Sequence, residues 1–419
     1  MSFINDILSS DEKSTENSVK KNKKESGKPI IFIPGITGSE LFTIDEKYLS
    51  SQERKTGMIT KENEEHAKRL WLPHGYDVEE LNRDLNIKNP AYGLQEGDLR
   101  ELPAFNRHLG PGAANAVLLK ALLIKFPDRP IYQFSYDWRK SNTITSKKLD
   151  AFIKSIAKRG KVDIVAHSMG GLVTAHYLRE HGGAVDKFIS LCTPYEGAPL
   201  AYNRMIVGNI FGGAADVVLE KLYGIDKDVI QDYDGLVELY PTTKMLEAYP
   251  YQRVTDEDAF AKIISRRHRK YEKILAKLHK AGASESIAPS EVQKKMRSYL
   301  GMLRFERFLS KARQYRSRKS LSENVALIDR PRTMFIVGRG IDTQVSGYYT
   351  KDEKGQTTLK DIQTREGDGQ VPLYSACMGH RLEEMPHELR KKFKVIKGTH
   401  MGMLVDLRAI DVMCKFLSE

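Results

Sequence analysis

The sequence predicts an α/β fold in which a mostly parallel sheet is covered by helices on both faces and is interrupted by one large helical insertion. Short apolar and β-branched runs alternate with helical patterns up to residue 199 and again after residue 330, which is typical of a parallel sheet. Residues 200–329 break this alternation with mostly helical patterns. The third observation is the stretch 162–171, which has the pattern of a buried strand, a sharp turn and a helix.

Ser168 occupies the turn of that stretch. It lies between Ala166 and Gly170, which matches the G-x-S-x-G nucleophile elbow with alanine in the first glycine position. Small residues are needed there because the serine backbone is strained and tightly packed while its hydroxyl stays exposed above the sheet. The sequence therefore predicts an α/β-hydrolase fold with a large helical lid insertion and with Ser168 as the nucleophile.

Composition shifts divide the chain into four predicted parts. A Ser, Asn, Glu and Lys-rich tail precedes the first strand and is expected to be disordered. The weakly periodic residues that follow the first strand form an excursion from the core. The predicted bounds are 1–28 for the tail, 29–199 for the first part of the core with the excursion at 48–110, 200–329 for the basic helical lid or cap, and 330–419 for the second part of the core.

The core elements follow from periodicity and from turn residues. Strands are predicted at residues 30–33, 131–136, 162–165, 188–192, 333–337 and 393–396, and helices at residues 113–126, 146–158 and about 404–417. A polar loop is predicted between the strand at 333–337 and the Gly-Asp-Gly turn at 367–369.

Two backbone N–H groups are candidates for an oxyanion hole. Met169 follows the nucleophile directly, and Ile36 lies in the Pro-Gly-Ile-Thr-Gly-Ser loop after the first strand, the two places from which α/β-hydrolases supply these donors. An offset of one residue at Ile36 stays open, as does the alternative that this loop is only a tight turn between strand and helix.

A serine nucleophile needs an imidazole to take its proton and a carboxylate to orient that imidazole. Among eleven histidines only His400 follows the last predicted strand, where the chain order Ser, Asp, His places the base. Two aspartates compete as the acid: Asp342 directly follows a strand, whereas Asp368 lies in a flexible Gly-Asp-Gly turn. Spacing favours Asp368 and leaves Asp342 open.

The strand near residue 131 ends in Tyr-Asp-Trp-Arg. Carboxyl ends of parallel strands are where ligands bind, but the spacing of Asp137 and Arg139 favours a buried ion pair that closes the strand.

The positive charge is concentrated in one segment. Residues 262–320 hold eighteen Lys and Arg against four Glu, whereas the whole chain has a net charge of +12, so the remainder is close to neutral. This segment is predicted to dock on an anionic membrane surface. Nucleic acid is the less favoured partner, and a solvated helical face without a partner is the third interpretation.

Three widely spaced cysteines, Cys192, Cys377 and Cys414, argue against a disulfide framework and predict small buried side chains. None has the spacing of a metal site, and no cofactor is implied. The sequence shows neither a secretory signal nor an apolar run of about 18 residues. We therefore expect a cytoplasmic protein, peripheral at the membrane if the basic segment docks there.

Several motifs, in this order, resemble those of the lecithin:cholesterol acyltransferase family from residue 29 to the C-terminus, least in the lid. They are Pro-Gly-Ile-Thr-Gly-Ser at 34–39, Leu-Trp-Leu at 70–72, Tyr-Asp-Trp-Arg at 136–139, Ala-His-Ser-Met-Gly-Gly at 166–171, Thr-Pro at 193–194, Gly-Asp-Gly-Gln-Val-Pro at 367–372 and the final His400. The resemblance implies that Asp368 is the acid and that the second oxyanion donor lies near Ile36. It further implies lipid esters, phospholipids among them, as substrates and an acyl-serine intermediate.

Two departures limit the resemblance. Secreted animal members carry paired cysteines in the excursion, and this chain has none between residues 48 and 110, which fits an intracellular protein. Gln370 stands where the family usually has Thr. We expect a serine lipase, phospholipase or acyltransferase; the alternative is a membrane-binding or nucleic-acid-binding protein on a hydrolase fold. The acyl acceptor and the oligomeric state stay open.

Overall fold

The computed structural model describes residues 27–71, 76–96, 99, 111–157, 160–201, 233–250, 332–351 and 357–419. The tail up to residue 26, Leu72 of the Leu-Trp-Leu motif and the basic segment 262–320 lie outside the described residues. No helix of the described ranges has the length and apolar character needed to cross a membrane.

Six parallel strands form the central sheet, in the spatial order β12-β9-β8-β7-β1-β6. Their bounds are β1 Ile30–Ile33, β6 Ile131–Gln133, β7 Val162–His167, β8 Val185–Leu191, β9 Thr333–Arg339 and β12 Phe393–Lys397. The other strands are β2 Phe42–Ile44, β3 Met58–Thr60, β4 Ala67–Arg69, β5 Gly93–Gln95, β10 Thr343–Lys351 and β11 Thr357–Thr364. The parallel sheet confirms the predicted fold class.

Helices cover both faces of this sheet. Their bounds are α1 Ser51–Thr56, α2 Val78–Asp84, α3 Pro111–Lys125, α4 Asn142–Ala157, α5 Met169–His181, α6 Asp234–Val237, α7 Thr243–Ala248, α8 Leu373–Ala376, α9 His387–Arg390 and α10 Leu407–Ser418. Residues on β1 alternate between two apolar cores: Ile31 and Ile33 face the core that holds α4 and α5, whereas Ile30 and Phe32 face the core that holds α3 and α10. This alternation is what a strand buried on both faces requires.

Most differences from the predicted bounds have local causes. β6 ends at Gln133, three residues earlier than predicted, and the Tyr136 N–H donates to Ser39 Oγ, 3.2 Å away, instead of to a neighbouring strand. α4 begins four residues earlier than predicted, since the Ser141 side chain accepts a bond from the Thr143 N–H and Glu238 accepts one from the Asn142 N–H, 2.8 Å away. α10 begins at Leu407 because Asp406 caps it.

The predicted polar loop after β9 is wrong. Residues 343–351 and 357–364 instead form an antiparallel hairpin, β10 with β11. The hairpin returns the chain to the carboxyl end of β9, where Ile341 and Asp368 form a parallel bridge. It therefore determines which aspartate reaches that end of the sheet.

The predicted ion pair between Asp137 and Arg139 is confirmed. The Arg139 Nε lies 2.8 Å from Asp137 Oδ1, and its Nη2 lies 2.9 Å from Oδ2. The fully buried guanidinium also donates to four backbone carbonyls of the excursion, those of Asp84, Leu85, Asn86 and Asn89. On the other side, the Gly235 N–H donates to the Arg139 carbonyl. Arg139 thus joins the core, the excursion and residues 233–250, which lie within the range predicted as lid.

Candidate active site

Ser168 lies in a strained turn between β7 and α5. Its φ of 54° is left-handed, a conformation that residues other than glycine adopt mainly where the surrounding structure imposes it. The Ser168 N–H donates to the Leu191 carbonyl at the end of β8, 2.9 Å away, and the Gly171 N–H donates back to the Ser168 carbonyl. The side chain is buried except for a small fraction.

The two glycines after Met169 are required by close backbone approach. A Cβ on Gly170 would lie 2.4 Å from the Ile33 carbonyl oxygen, and a Cβ on Gly171 would lie 1.8 Å from Thr193 Oγ1. The helix therefore packs directly against the end of β1 and against the loop after β8. Ala166, which replaces the first glycine of the elbow, is fully buried inside the sheet.

The structure brings His400 between Ser168 and Asp368. Its Nε2 lies 2.9 Å from Ser168 Oγ, and its Nδ1 lies 2.7 Å from Asp368 Oδ2. The His400 backbone N–H also donates to the Asp368 carbonyl, 2.8 Å away. Loops that follow β12 and β11 are thereby joined beside Ser168.

The Asp368 carboxylate is held in its ionised form. Burial alone would raise the pKa of this carboxyl, but the charge of His400 and hydrogen bonds from His400, Val371 and Gln370 outweigh burial and lower that pKa. Its Oδ1 accepts the Gln370 and Val371 N–H groups at 2.9 and 2.7 Å. An ionised Asp368 makes His400 Nδ1 the donor and leaves Nε2 free to accept the Ser168 hydroxyl proton.

Asp342 does not reach this site. Its side chain is 72% exposed and lies 3.9 Å from Arg365 Nε. Asp368 lies so close to the sheet that a Cβ added to Gly338 of β9 would be 2.4 Å from the Asp368 Cβ. Of the two aspartates, only Asp368, which follows the hairpin, is therefore placed beside His400.

The loop at residues 34–39, here called the oxyanion loop, passes directly over Ser168. A Cβ on Gly35 would lie 2.9 Å from the Ser168 Cβ and 3.3 Å from its Oγ. Within the described part of the chain, neither the Ile36 N–H nor the Met169 N–H donates a hydrogen bond. Met169 is the first residue of α5, whose N–H has no acceptor within the helix.

His167 is a second buried imidazole beside the site. Its Nε2 donates to the His400 backbone carbonyl, 3.2 Å away, and the two ring centroids are 4.7 Å apart. Burial, aided by the charge of His400, lowers the pKa of His167 to about 3. It therefore remains neutral at physiological pH and adds no positive charge beside His400.

Within the described residues, Cys192, Asp368 and His400 place their possible metal-ligating atoms within 4.8 Å of one another. Burial and the Asp368 charge raise the pKa of the Cys192 thiol well above its usual range, whereas metals bind the thiolate. Both His400 nitrogens are already hydrogen-bonded. The donor set of this cluster therefore fits a metal ion poorly. All three cysteines are buried, as predicted.

A family model described as lecithin:cholesterol acyltransferase matches residues 126–388, more than half of the chain. The chain belongs to the lecithin:cholesterol acyltransferase family. Ser168 and Asp368 lie within the matched range of this family, and Ile36 and His400 lie outside it.

Two plant proteins are similar to this family member over part of their length. Lecithin-cholesterol acyltransferase-like 4 of Arabidopsis thaliana is 23% identical over 190 residues, which are 41% of this chain and 35% of that protein. Phospholipase A(1) LCAT3 of Arabidopsis thaliana is 36% identical over 90 residues, which are 19% of this chain and 20% of that protein. The matches thus cover about a third or less of these curated relatives.

A solved structure supports the fold of this lecithin:cholesterol acyltransferase family member. A chain in the crystal structure of a Tle4–Tli4 complex superposes with a TM-score of 0.50 at 14% sequence identity, covering 93% of this chain and 98% of that chain. At this identity the similarity shows the fold alone.

Sequence reasoning missed two features of the site. His167 occupies the last position of a fully buried strand, where no periodicity separates a hydrogen-bonding side chain from a packing one. The β10–β11 hairpin was missed because its residues show no period-2 apolar pattern and its polar composition resembles that of a loop.

Proposed function

We propose that this chain is a serine-dependent lipid-ester hydrolase or acyltransferase that acts through an acyl-serine intermediate. The observation that carries the proposal is the hydrogen-bonded row Ser168 Oγ, His400 and Asp368, with links of 2.9 and 2.7 Å. These three residues lie at the carboxyl edge of the parallel sheet, and Ser168 occupies a strained turn. Acyl transfer through a serine on an α/β-hydrolase fold requires this arrangement.

Acylation would begin with attack by Ser168 Oγ on the ester carbonyl carbon. The hydroxyl proton passes to His400 Nε2, and Asp368 stabilises the imidazolium through Nδ1–H. Collapse of the tetrahedral intermediate breaks the bond to the alcohol oxygen, which takes the proton from His400. The acyl group then remains on Ser168 as an ester.

Deacylation would repeat these steps with a new acceptor. Water or the hydroxyl of a lipid gives its proton to His400 Nε2 and attacks the acyl carbon, and Ser168 Oγ leaves with that proton. Water yields a free fatty acid, whereas an alcohol yields a new ester.

The developing oxyanion would be bound by the N–H groups of Met169 and Ile36. Support comes from their lack of acceptors in the described residues and from the passage of Gly35 within contact distance of Ser168. Donors that are already aimed at the oxyanion position are worth about 10²–10³ in kcat each.

The names of the relatives support phospholipid acyl chains as the substrate class. One is named a lecithin-cholesterol acyltransferase-like protein and the other a phospholipase A(1). We propose that this chain likewise takes acyl groups from phospholipids or related lipid esters.

The test is acyl release from a panel of phospholipids and neutral esters, with product lipids identified by mass. We expect product from the wild-type protein and from Ser155→Ala, a variant of an exposed serine on α4, and none from Ser168→Ala. Free fatty acid would establish a hydrolase, and a new acylated lipid a transferase. Absence of any Ser168-dependent product would instead favour a binding protein on a hydrolase fold.

The basic segment 262–320 is proposed to dock on an anionic bilayer and so to bring lipid to Ser168. Its excess of Lys and Arg supports this, since each basic side chain near such a surface contributes about 1 kcal/mol. Liposome co-sedimentation with and without anionic lipid tests it. Equal binding to both vesicle types would contradict it, and preferential binding to nucleic acid would favour the other partner.

A further inference from the structure

The oxyanion loop contains a turn that its own sequence does not favour. The Gly38 N–H donates to the Gly35 carbonyl, 3.1 Å away, which closes a four-residue β-turn. Thr37, its third residue, has a φ of 61°. That position normally holds Gly or Asn, because a branched side chain is strained in the left-handed region. Contacts outside the turn must therefore hold Thr37 in this conformation.

Trp71 supplies such a contact. Its indole Nε1 donates to the Thr37 carbonyl, 3.1 Å away. The ring is nearly buried and packs edge-on against Trp138, with centroids 4.9 Å apart and planes at 73°. The packing of Trp71, which lies in the excursion, against Trp138 of the core thus fixes the direction of the indole N–H.

Other side chains hold the neighbouring carbonyls of the same loop. The Tyr136 hydroxyl donates to Pro34 O at 2.9 Å, Asn115 Nδ2 donates to Gly38 O at 3.0 Å, and Trp138 Nε1 donates to Ser39 O at 3.3 Å. These donors come from α3 and from the chain after β6. Trp71 alone among the described donors binds the strained residue.

We propose that Trp71 is a positioning residue of the oxyanion hole. Its N–H holds Thr37 in the left-handed conformation and so keeps the Ile36 N–H directed at the carbonyl oxygen of an ester bound at Ser168. This inference rests on the proposed function. It also gives the excursion at 48–110 a role in catalysis, since β4 of that segment leads directly into Trp71.

Thr37 depends on the indole donor because the turn has a second, less strained conformation. Without the indole donor, Thr37 relaxes to negative φ, which rotates the peptide between Ile36 and Thr37. The Ile36 backbone turns with it, so the preceding peptide, which carries the Ile36 N–H, is displaced from its position over Ser168. The hydrophobic packing of Trp71 is insufficient to prevent this, because only the N–H contacts the loop carbonyl by a directional bond.

The experiment compares Trp71→Phe, which keeps a buried ring and removes the donor, with Tyr233→Phe as the matched control. Tyr233 is fully buried, packs on Trp138 and donates to the Leu85 carbonyl at 2.9 Å, outside the oxyanion loop. On a water-soluble p-nitrophenyl ester we expect Trp71→Phe to lower kcat by about 10-fold or more with KM within about twofold. Tyr233→Phe lowers the Tm and leaves both constants within about twofold of wild type.

Two further readouts separate positioning from a general loss of structure. Affinity for an alkyl boronic acid, which forms a tetrahedral adduct with Ser168 Oγ, falls by the same factor as kcat in Trp71→Phe. Thr37→Gly in the Trp71→Phe background restores most of kcat, because glycine adopts the turn without strain. Replacement of Trp71 by 3-benzothienylalanine, in which sulfur takes the place of the N–H, serves if Trp71→Phe does not fold.

A crystal structure of Trp71→Phe with Thr37 at negative φ supports the proposal even before activity is measured. Thr37 at unchanged φ, or kcat within about twofold of wild type, overturns it. If the wild-type protein shows no Ser168-dependent turnover, the proposed function fails, and the φ of Thr37 in the variant still decides whether the indole holds the turn.

Discussion

Asp368 and Asp342 both follow β9 in the sequence and lie next to glycine-containing turns, but their positions in the fold give them different environments. Asp368 is 2% exposed and receives two backbone N–H bonds in addition to the His400 bond. Asp342 is exposed to solvent at the start of the hairpin. The local environment, rather than proximity to β9 along the chain, determines which aspartate pairs with His400.

We predict that Asp368→Asn lowers kcat by about 10⁴-fold. The asparagine Oδ1 would continue to accept the Gln370 and Val371 N–H groups, so its Nδ2 would face His400 Nδ1. The imidazole would then carry its proton on Nε2 and could not accept one from Ser168. Ester hydrolysis rates check this, with Asp342→Asn as the matched control, expected within about twofold of wild type. Equal losses in the two variants would contradict the assignment.

His167 makes folding stability depend on pH. The unfolded chain binds a proton at this side chain below about pH 6.5, whereas the folded protein, with the pKa lowered to about 3, does not. Stability from this group is therefore complete above pH 6.5 and is lost as the pH falls toward 3. The slope reaches about 1.4 kcal/mol per pH unit.

We predict that His167→Gln removes this part of the acid sensitivity. Glutamine retains an N–H that can reach the His400 carbonyl and does not titrate, so the free energy of unfolding should fall less steeply between pH 6.5 and 4. Urea denaturation at several pH values measures it. His387→Gln, at an exposed position, should keep the wild-type slope, and an unchanged slope in His167→Gln would exclude the explanation.

At the scale of elements, the elbow depends on how closely α5 approaches β1. Gly170 is the contact point, with the Ile33 and Pro34 carbonyls 2.4 and 2.7 Å from the place of a Cβ. Both obstacles are backbone atoms, which cannot swing aside as a flexible side chain can. The tight contact places the oxyanion loop directly beside Ser168.

Gly170→Ala is predicted to lower the free energy of unfolding by about 2–3 kcal/mol, because the helix must shift away from β1. The control is Gly183→Ala, where no atom lies within 4 Å of the added Cβ, with an expected change within about 0.5 kcal/mol. Denaturant unfolding followed by circular dichroism compares the two. A loss of similar size at both positions would show that close approach is not the cause.

At the scale of the whole molecule, Arg139 connects segments that are distant in the chain. It pairs with Asp137, donates to carbonyls at residues 84–89 and accepts from Gly235 through its own carbonyl. Glu238 adds a second link by accepting from Ser141 and Asn142 at the start of α4. Residues 233–250 are therefore anchored to the core, whereas the bounds of the lid at 200–329 stay a prediction.

We predict that Arg139→Met lowers the free energy of unfolding by about 3–5 kcal/mol, because it leaves the buried Asp137 carboxylate without its partner. Removing that charge as well, in the double variant Arg139→Met with Asp137→Asn, should recover part of the loss. Denaturant unfolding of the three proteins measures this. A double variant no more stable than Arg139→Met would mean that the carbonyl bonds, rather than the ion pair, dominate.

The parts of this architecture that were predictable from sequence are those with local signals. β1, β7, β9 and β12 are apolar runs bounded by turn residues, and Ser168 and His400 each follow such a run. The Asp137–Arg139 pair was predictable from its spacing at a strand end. These signals depend on neighbours in the chain, which sequence reasoning can inspect directly.

The parts that were not predictable depend on contacts between distant segments. Asp368 reaches the site because β10 and β11 pair, and neither strand is apolar enough to distinguish it from a polar loop. Trp71 meets Thr37 across 34 residues, and nothing in either neighbourhood indicates the bond. The Ile36 and Met169 donors and the basic segment 262–320 stay predictions.

The central claim is that Ser168 is a nucleophile activated by His400 and Asp368, and covalent labelling tests it most directly. An alkyl fluorophosphonate forms a bond from Ser168 Oγ to phosphorus, fluoride leaves, and His400 takes the proton. Peptide mass spectrometry should find the adduct on Ser168 in the wild-type protein, no adduct in Ser168→Ala, and labelling slowed by orders of magnitude in Asp368→Asn. An unmodified Ser168 in a folded wild-type protein, or equal labelling of Ser168→Ala, would contradict the account.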